Sequence, residues 1–396
     1  MTEKVYLRDP YCRELTAAVS ARECRDGRWQ VRLERTLFRP AGGGQPADTG
    51  TVNNLPLMAL DSDNDDIVHV LAGDPGGGDA ELRLDFEHRF DHMQQHTAQH
   101  LLSQVLVRRF AAATLSFAIG PEHSSIETDR SAFSDGEVAE LEEECARLAW
   151  AALPVRVFET DDPSHLSLRK PPKVRGRIRV VEIAGFDQSA CGGTHVRSCA
   201  ELGLLKIVRL ERVRANVRLY YVAGGRSLRD HRLKHDLAQR LQRLVTQPPA
   251  EIPAHVEALL RERDDLRNEL KKVRRREMER EAGLAAAKPG GLVVREFHGC
   301  DPADLRFFAG ALAAAGQHVL ALSRPQPSSP AAGSGIHVVV GRGCGDFDLR
   351  LISARLFALL GGRGGGGASL LEGRANDLSR LGEAVALLQA SLEPRV

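Results

Sequence analysis

The chain has 396 residues, a formal net charge of +1, and side chains that are 42% hydrophobic, 27% charged and only 5% aromatic. This is an ordinary soluble composition with room for two or three domains. It gives no global electrostatic pull on any partner, so a nucleic-acid surface must be a local patch, and one not built mainly on aromatic stacking.

In chain order, residues 1–85 are β-rich: "WQVRLERTLF" partly alternates, "DIVHVL" is a second strand, and "RDG" and "DPGGG" are turns. A small barrel or twisted sheet is expected. Residues 86–230 are mixed. "HTAQHLL" lies in a helix, because Leu101, Leu102, Val105 and Leu106 recur at helical spacing. "LSFAIG" and "SSIETD" are strands, and Ser134 with Glu137 forms a capping box for the helix "SDGEVAELEEECARLAWAA". Four more strands follow, "PVRVFET", "GRIRVVEIA", "LGLLKIVRLERV" and "VRLYYVAG", giving an α+β domain. Residues 231–287 are charged helices, a linker whose leucines follow a partial heptad broken by Arg263. A solvated spacer is preferred there to a nucleic-acid contact. "AAAKPGG" marks a boundary, residues 288–396 form a small α/β domain, and "SRPQPSSPAAGSG" is a loop within it. The fold class expected is a multidomain α+β protein. No apolar run reaches bilayer-spanning length, and "MTEKVYLRDPYC" lacks the pattern of a secretory signal. The seven scattered cysteines fit a reducing cytoplasm better than a disulfide framework.

The chemistry sits in two pairs. His96 and His100, four apart on one helix, share a face. Such a pair alone is more often an ordinary surface or core feature than a ligand pair. About ninety residues on, "ACGGTHV" places Cys191 and His195 four apart in a glycine-broken loop. Imidazole and thiolate are the common zinc ligands, so the four residues make a tetrahedral set. A buried free thiol would account for Cys191 but leaves His195 unexplained. His92, one turn before His96, is expected to be a partly exposed helix residue. A third motif, "LFRPAGGGQPADTG", brings Gly43, Gly44 and Gln45 together with Asp48, and by itself reads as a plain hairpin.

As a set, "TLFRPAGGGQPADTG", "HTAQHLL" and "GFDQSACGGTHV" resemble the editing domain of alanyl-tRNA synthetases and its free-standing relatives, the AlaX editing proteins. "VRLYYVAGGRSLRD" resembles the end of that domain, and "ARLFALLGGRGGGGASLLEGRA" is similar to the glycine-rich signature of the synthetase C-terminal domain. The resemblance spans nearly the whole chain, as in the long AlaX form. Arg39 departs from it, standing where the family usually has an aromatic residue.

The resemblance implies a glycine-motif β domain (1–85), a zinc-dependent editing domain (86–230), a helical linker (231–287) and a synthetase-like C-terminal domain (288–396). It implies a cytoplasmic hydrolase that removes serine, and perhaps glycine, from mischarged tRNA(Ala), without aminoacylation. Zn2+ is the expected cofactor, on His96, His100, Cys191 and His195. Thr36, Gly43, Gly44 and Gln45 are the expected substrate-binding residues, with Thr36 meeting the serine hydroxyl. Gln45 and Asp187 are candidates for positioning substrate or water. The basic run "RKPPKVRGRIR" (169–179) is a candidate tRNA contact, or else an exposed loop and strand edge. The C-terminal domain is expected to grip tRNA, with "GGRGGGG" letting backbone approach RNA; its apolar helix "DLRFFAGALAAAG" also suits a homodimer contact. A zinc-stabilised RNA-binding module without catalysis is the first alternative. A phosphoesterase lacks its acidic motif, and threonine-type editing, which shares the metal pattern, is disfavoured by the glycine-rich module.

Overall fold

The computed structural model describes residues 2–63, 66–171, 176–285, 290–325 and 335–392. Most of "SRPQPSSPAAGSG", part of "AAAKPGG" and the centre of the basic run lie outside them. The chain divides into two compact units, residues 1–244 and 245–396.

The first unit begins with β1 (Glu3–Lys4), β2 (Glu14–Arg25), β3 (Arg28–Leu33), β4 (Arg35–Thr36), β5 (Gly50–Val52), β6 (Leu55–Asp63), β7 (Asp66–Leu71) and β8 (Asp79–Leu84). Six of these close an antiparallel barrel in the order β2-β3-β7-β6-β5-β8, while β1 pairs with β4 in parallel. Two turns fix the register. Asp26 and Gly27 both have positive φ, as do Asn53 and Asn54, giving two-residue hairpins whose twist matches the strands. Val31, Leu33, Val52, Ile67, Leu71 and Leu82 fill the barrel.

His69 is buried among them and ties the barrel to Thr36. Its Nδ1 lies 3.2 Å from the Val31 carbonyl, which can only accept, so Nδ1 carries the proton. Its Nε2, 2.8 Å from Thr36 Oγ1, therefore accepts from the threonine hydroxyl. Burial lowers the His69 pKa to about 4, in keeping with a neutral ring.

α1 (Phe86–Phe110) follows, capped by the Asp85 carboxylate, which accepts from His88 N at 3.1 Å. Its stretch from His92 to Ser103 is buried, polar residues included. Met93, Leu101, Leu102, Val105 and Leu106 enter the core, each such side chain contributing roughly 1.5–3 kcal/mol. Gln94 donates to the Glu201 carbonyl at 2.7 Å and Gln95 to that of Ala223 at 2.9 Å. His92 is 4% exposed, not the partly exposed residue expected, because α1 is covered on nearly every side.

Next come β9 (Thr114–Ile119), β10 (Ser124–Thr128), α2 (Asp135–Trp150), β11 (Val155–Thr160), β12 (Ile178–Ile183), β13 (Asp187–Ala190), β14 (Leu205–Val213), β15 (Asn216–Ala223) and α3 (Gly225–Val245). They form a four-stranded sheet, β14-β15-β10-β9, and a three-stranded sheet, β11-β12-β13. The Ser134–Glu137 capping box starts α2, with Ser134 N donating to Glu137 at 2.8 Å.

The second unit contains α4 (Ile252–Ala285), β16 (Leu292–His298), α5 (Pro302–Ala314), β17 (His318–Arg324), β18 (Ile336–Gly341), α6 (Arg350–Leu359), β19 (Arg363–Gly366), β20 (Leu370–Ala375) and α7 (Leu381–Leu392). Its sheet runs β16-β17-β18-β20-β19. The apolar face of α5, which suited a homodimer contact, is used internally: Leu305, Phe308 and Leu312 are buried against Val319 and Val339. Two glycines of the glycine-rich strands make room for an internal ring. A Cβ on Gly364 or Gly373 would lie 2.2 or 2.4 Å from the Phe357 ring.

Candidate metal centre

Three elements meet at one point. α1 supplies His96 and His100, the loop after β13 supplies Cys191 and His195, and the glycine-rich loop before β5 closes over them. The donor atoms of these four residues lie within 4.8 Å of one another, the one such cluster found among the described residues. Cys191 Sγ is 3.5 Å from His96 Nε2 and 3.3 Å from His195 Nε2. Bonds of roughly 2.0–2.3 Å to a tetrahedral zinc place donors about 3.3–3.8 Å apart, so the donor set fits that ion.

The outer groups fix which nitrogen faces the centre. Thr194 N donates to Gln45 Oε1 at 3.2 Å, while Gln45 Nε2 donates to Thr194 Oγ1 at 2.8 Å. The amide is thereby oriented with its oxygen 2.9 Å from His96 Nδ1, so that nitrogen carries the proton and Nε2 presents a lone pair. His100 Nδ1 is 3.3 Å from Asp187 Oδ2, and Ser189 Oγ donates to the same oxygen at 3.0 Å. His195 Nδ1 is 3.1 Å from Thr97 Oγ1. Burial lowers the His96 and His195 pKa values. Burial pushes the Cys191 thiol up, but its coupling to the facing imidazoles of His96, His195 and His100 holds it well below its usual value. His100 is raised against burial by its bond to Asp187. A thiolate facing imidazole nitrogens is the state zinc requires.

Backbone conformation permits this approach. A Cβ on Gly193 would lie 2.2 Å from His96 Cε1, so only glycine lets the ring sit there. Gly43 and Gly44 both have positive φ and turn a tight hairpin, with Gly42 and Gln45 exchanging backbone hydrogen bonds of 3.0 Å. Arg39 holds this loop from behind, its guanidinium donating to the carbonyls of Gly42 at 2.7 Å and Gln45 at 3.2 Å. Arg89 and Asp48, both fully buried, pair beside it; Arg89 also donates to Leu37 O at 2.7 Å and Pro10 O at 2.9 Å.

A cavity of about 720 Å³ opens onto the centre, lined by His96, His100, Cys191, Gly43, Phe117 and Arg39 among others. Gly44 packs beneath Phe117. Gln45 and Asp187 stand behind the metal donors and are not among the lining residues. Thr36 also is not brought to the lining: it is fully buried, donating to His69 and accepting from Phe38 N at 3.1 Å. Arg169 and Arg179 are the ends of the basic run expected to be a tRNA contact or an exposed edge; Thr97, Thr194 and Arg89 had no expected role. Only the spacing of Thr97 from His96 and His100 on the same helix could have drawn attention to any of them.

Gln45→Leu removes the acceptor for His96 Nδ1 while keeping the side chain's bulk. A drop of about 10- to 100-fold in zinc affinity is expected. Competition with a chromogenic chelator measures it, and unchanged affinity would deny Gln45 that orienting role.

A helix face, a hairpin and a Cys–His loop thus surround a zinc-type donor set. The family model for the threonyl and alanyl tRNA synthetase second additional domain matches residues 178–220. Alanyl-tRNA editing protein Aarsd1 of Danio rerio is 30% identical over 376 residues, covering 91% of this chain and 88% of that protein. Alanyl-tRNA editing protein AlaX-L of Pyrococcus horikoshii is 35% identical over 290 residues, 69% of this chain and 71% of its own. The C-Ala domain of Aquifex aeolicus alanyl-tRNA synthetase aligns with 26% of this chain and 91% of its own at 26% identity, with a TM-score of 0.23, too low to argue fold. The chain belongs to the family of alanyl-tRNA editing proteins.

Proposed function

We propose that this protein hydrolyses the ester of mischarged tRNA(Ala), chiefly the seryl and also the glycyl form. The observation that carries the reading is the convergence of the His96, His100 and His195 imidazoles and the Cys191 sulfur beside a cavity of about 720 Å³. The chemical need is clear: a pocket for alanine rejects glycine or serine only weakly, so a second, hydrolytic site raises fidelity.

His96, His100, Cys191 and His195 would hold the zinc. Bound there, it supplies Lewis acidity beside the ester and fixes the cavity wall. Gln45 and Asp187 position the reaction indirectly, by keeping the protons of His96 and His100 on Nδ1. The hairpin at Gly43 and Gly44 brings backbone close to the acyl group. Water adds to the ester carbonyl, the acyl–oxygen bond breaks, and the terminal ribose hydroxyl leaves with a proton. Hydrolysis of seryl-tRNA(Ala) by the purified protein tests this. Binding without turnover would favour the zinc-stabilised RNA-binding module.

Thr36 was expected to meet the serine hydroxyl. Its proton is committed to His69, so a substrate role requires exchange of that partner. Thr36→Val is expected to cost about 1–3 kcal/mol of stability, by orphaning His69 Nε2 and Phe38 N, and to slow seryl and glycyl hydrolysis equally. Parallel thermal melts and deacylation assays check this; a loss confined to the seryl substrate would restore Thr36 as the recogniser.

The second unit carries none of the candidate donors, and its role in this reading is tRNA affinity. A chain ending near residue 285 should show a raised KM on whole tRNA and little change on an acceptor-stem mimic. A monomeric truncation with unchanged KM would instead make this unit a dimerisation element.

A further inference from the structure

The charge of the cavity exceeds what ester hydrolysis requires. Arg39, Arg169 and Arg179 all line it. Backbone carbonyls hold their terminal nitrogens: Arg39 those of the glycine loop, Arg169 Nη1 that of His100 at 3.0 Å, and Arg179 Nη1 those of Cys191 at 2.7 Å and Gly193 at 2.9 Å. Each leaves its Nε–H buried without a hydrogen-bond partner. Arg39 is 5% exposed, and the Arg169 side chain 10%.

Few anions answer these charges. Asp187 Oδ1 lies 3.6 Å from Arg169 Nε. Cys191 faces all three guanidiniums. Asp48 faces Arg39 but is held by Arg89, and Glu159, which faces Arg179, is paired with Arg177 at 2.8 Å. Three permanent positive charges thus surround one thiolate and one carboxylate, and a divalent cation at the donor cluster would widen the excess. Buried charge without a counter-ion is costly, so the ligand that fills the cavity brings negative charge. An esterified aminoacyl group cannot: its carboxyl is blocked and its amine is cationic. The nearest anion on an acylated RNA end is the phosphate 5′ to the terminal ribose.

We propose that Arg39, Arg169 and Arg179 form a subsite for that phosphate, binding it through their combined field. The inference rests on the editing reading, since it takes the ligand to be an acylated RNA terminus.

Titration calorimetry of the full chain with adenosine 5′-monophosphate, adenosine and inorganic phosphate tests it. The monophosphate should bind at least about tenfold more tightly than either fragment, with an affinity that falls as salt rises while that of adenosine does not. Arg169→Met should reduce the monophosphate to the affinity of adenosine, and Arg169→Lys should restore part of the gap. Should Arg169→Met fail to fold, Arg39→Met takes its place beside the salt series. Equal affinities for monophosphate and adenosine, or for monophosphate and inorganic phosphate, would overturn the subsite. Seryl-tRNA(Ala) hydrolysis by the same preparation separates the two ideas. Turnover without a phosphate preference sinks only the subsite; a phosphate preference without turnover sinks only the editing reading.

Discussion

The double variant Cys191→Ala/His195→Ala is expected to bind no zinc, where the wild-type chain binds one equivalent. Each substitution removes a donor from a set whose ligand atoms lie within 4.8 Å of one another. Two remaining imidazoles on one helix cannot complete a tetrahedral shell. Hydrolysis of seryl-tRNA(Ala) should fall at least about 10³-fold, the equivalent of several kcal/mol of lost polarisation and ordering at the cavity wall. Metal analysis and single-turnover deacylation read the two effects separately. Full zinc retention in the double variant would remove the centre from the account.

Arg89→Met is expected to have the largest effect on stability. Arg89 and Asp48 are both without solvent exposure, and the Arg89 Nε–H donates to Asp48 Oδ1 at 2.8 Å. The pair joins α1 to the residues on either side of the glycine loop, because Asp48 also accepts from Arg39 N at 2.5 Å. Removing the guanidinium leaves a buried carboxylate uncompensated, at about 3–5 kcal/mol. At about 2–4 °C per kcal/mol for a unit of this size, the melting temperature should drop by roughly 10 °C. Adding Asp48→Asn should recover much of that loss, since the amide needs no counter-charge. A single variant that melts like wild type would show that the pair is solvated in solution.

The two kinds of residue differed in how legible they were. His96, His100, Cys191 and His195 could be read because ligand chemistry demands particular side chains and the four-residue spacing places them together locally. The capping box at Ser134 was legible for the same reason: its whole geometry lies within four residues. The arginines were not. Arg39 stood out only as a departure from the family pattern and Arg169 and Arg179 only as the ends of a basic run, and the tertiary fold alone supplies the carbonyls of Gly42, Leu37, His100 and Cys191 that these three and Arg89 hold. Thr36 shows the opposite case. The resemblance pointed to a substrate role, while the barrel gives its hydroxyl to His69, a residue distant in sequence. "GGRGGGG" suggested exposed backbone, and its strand is exposed; what no local pattern encodes is that Gly364 also makes room for Phe357.

The most direct test of the central claim is deacylation of seryl-, glycyl- and alanyl-tRNA(Ala) by the purified full-length chain, before and after treatment with a strong zinc chelator. Rapid loss of serine, slower loss of glycine, alanine left in place, and activity abolished by chelation and recovered on adding zinc are the expected results. Tight tRNA binding with none of the three esters cleaved by the zinc-loaded protein would contradict the claim.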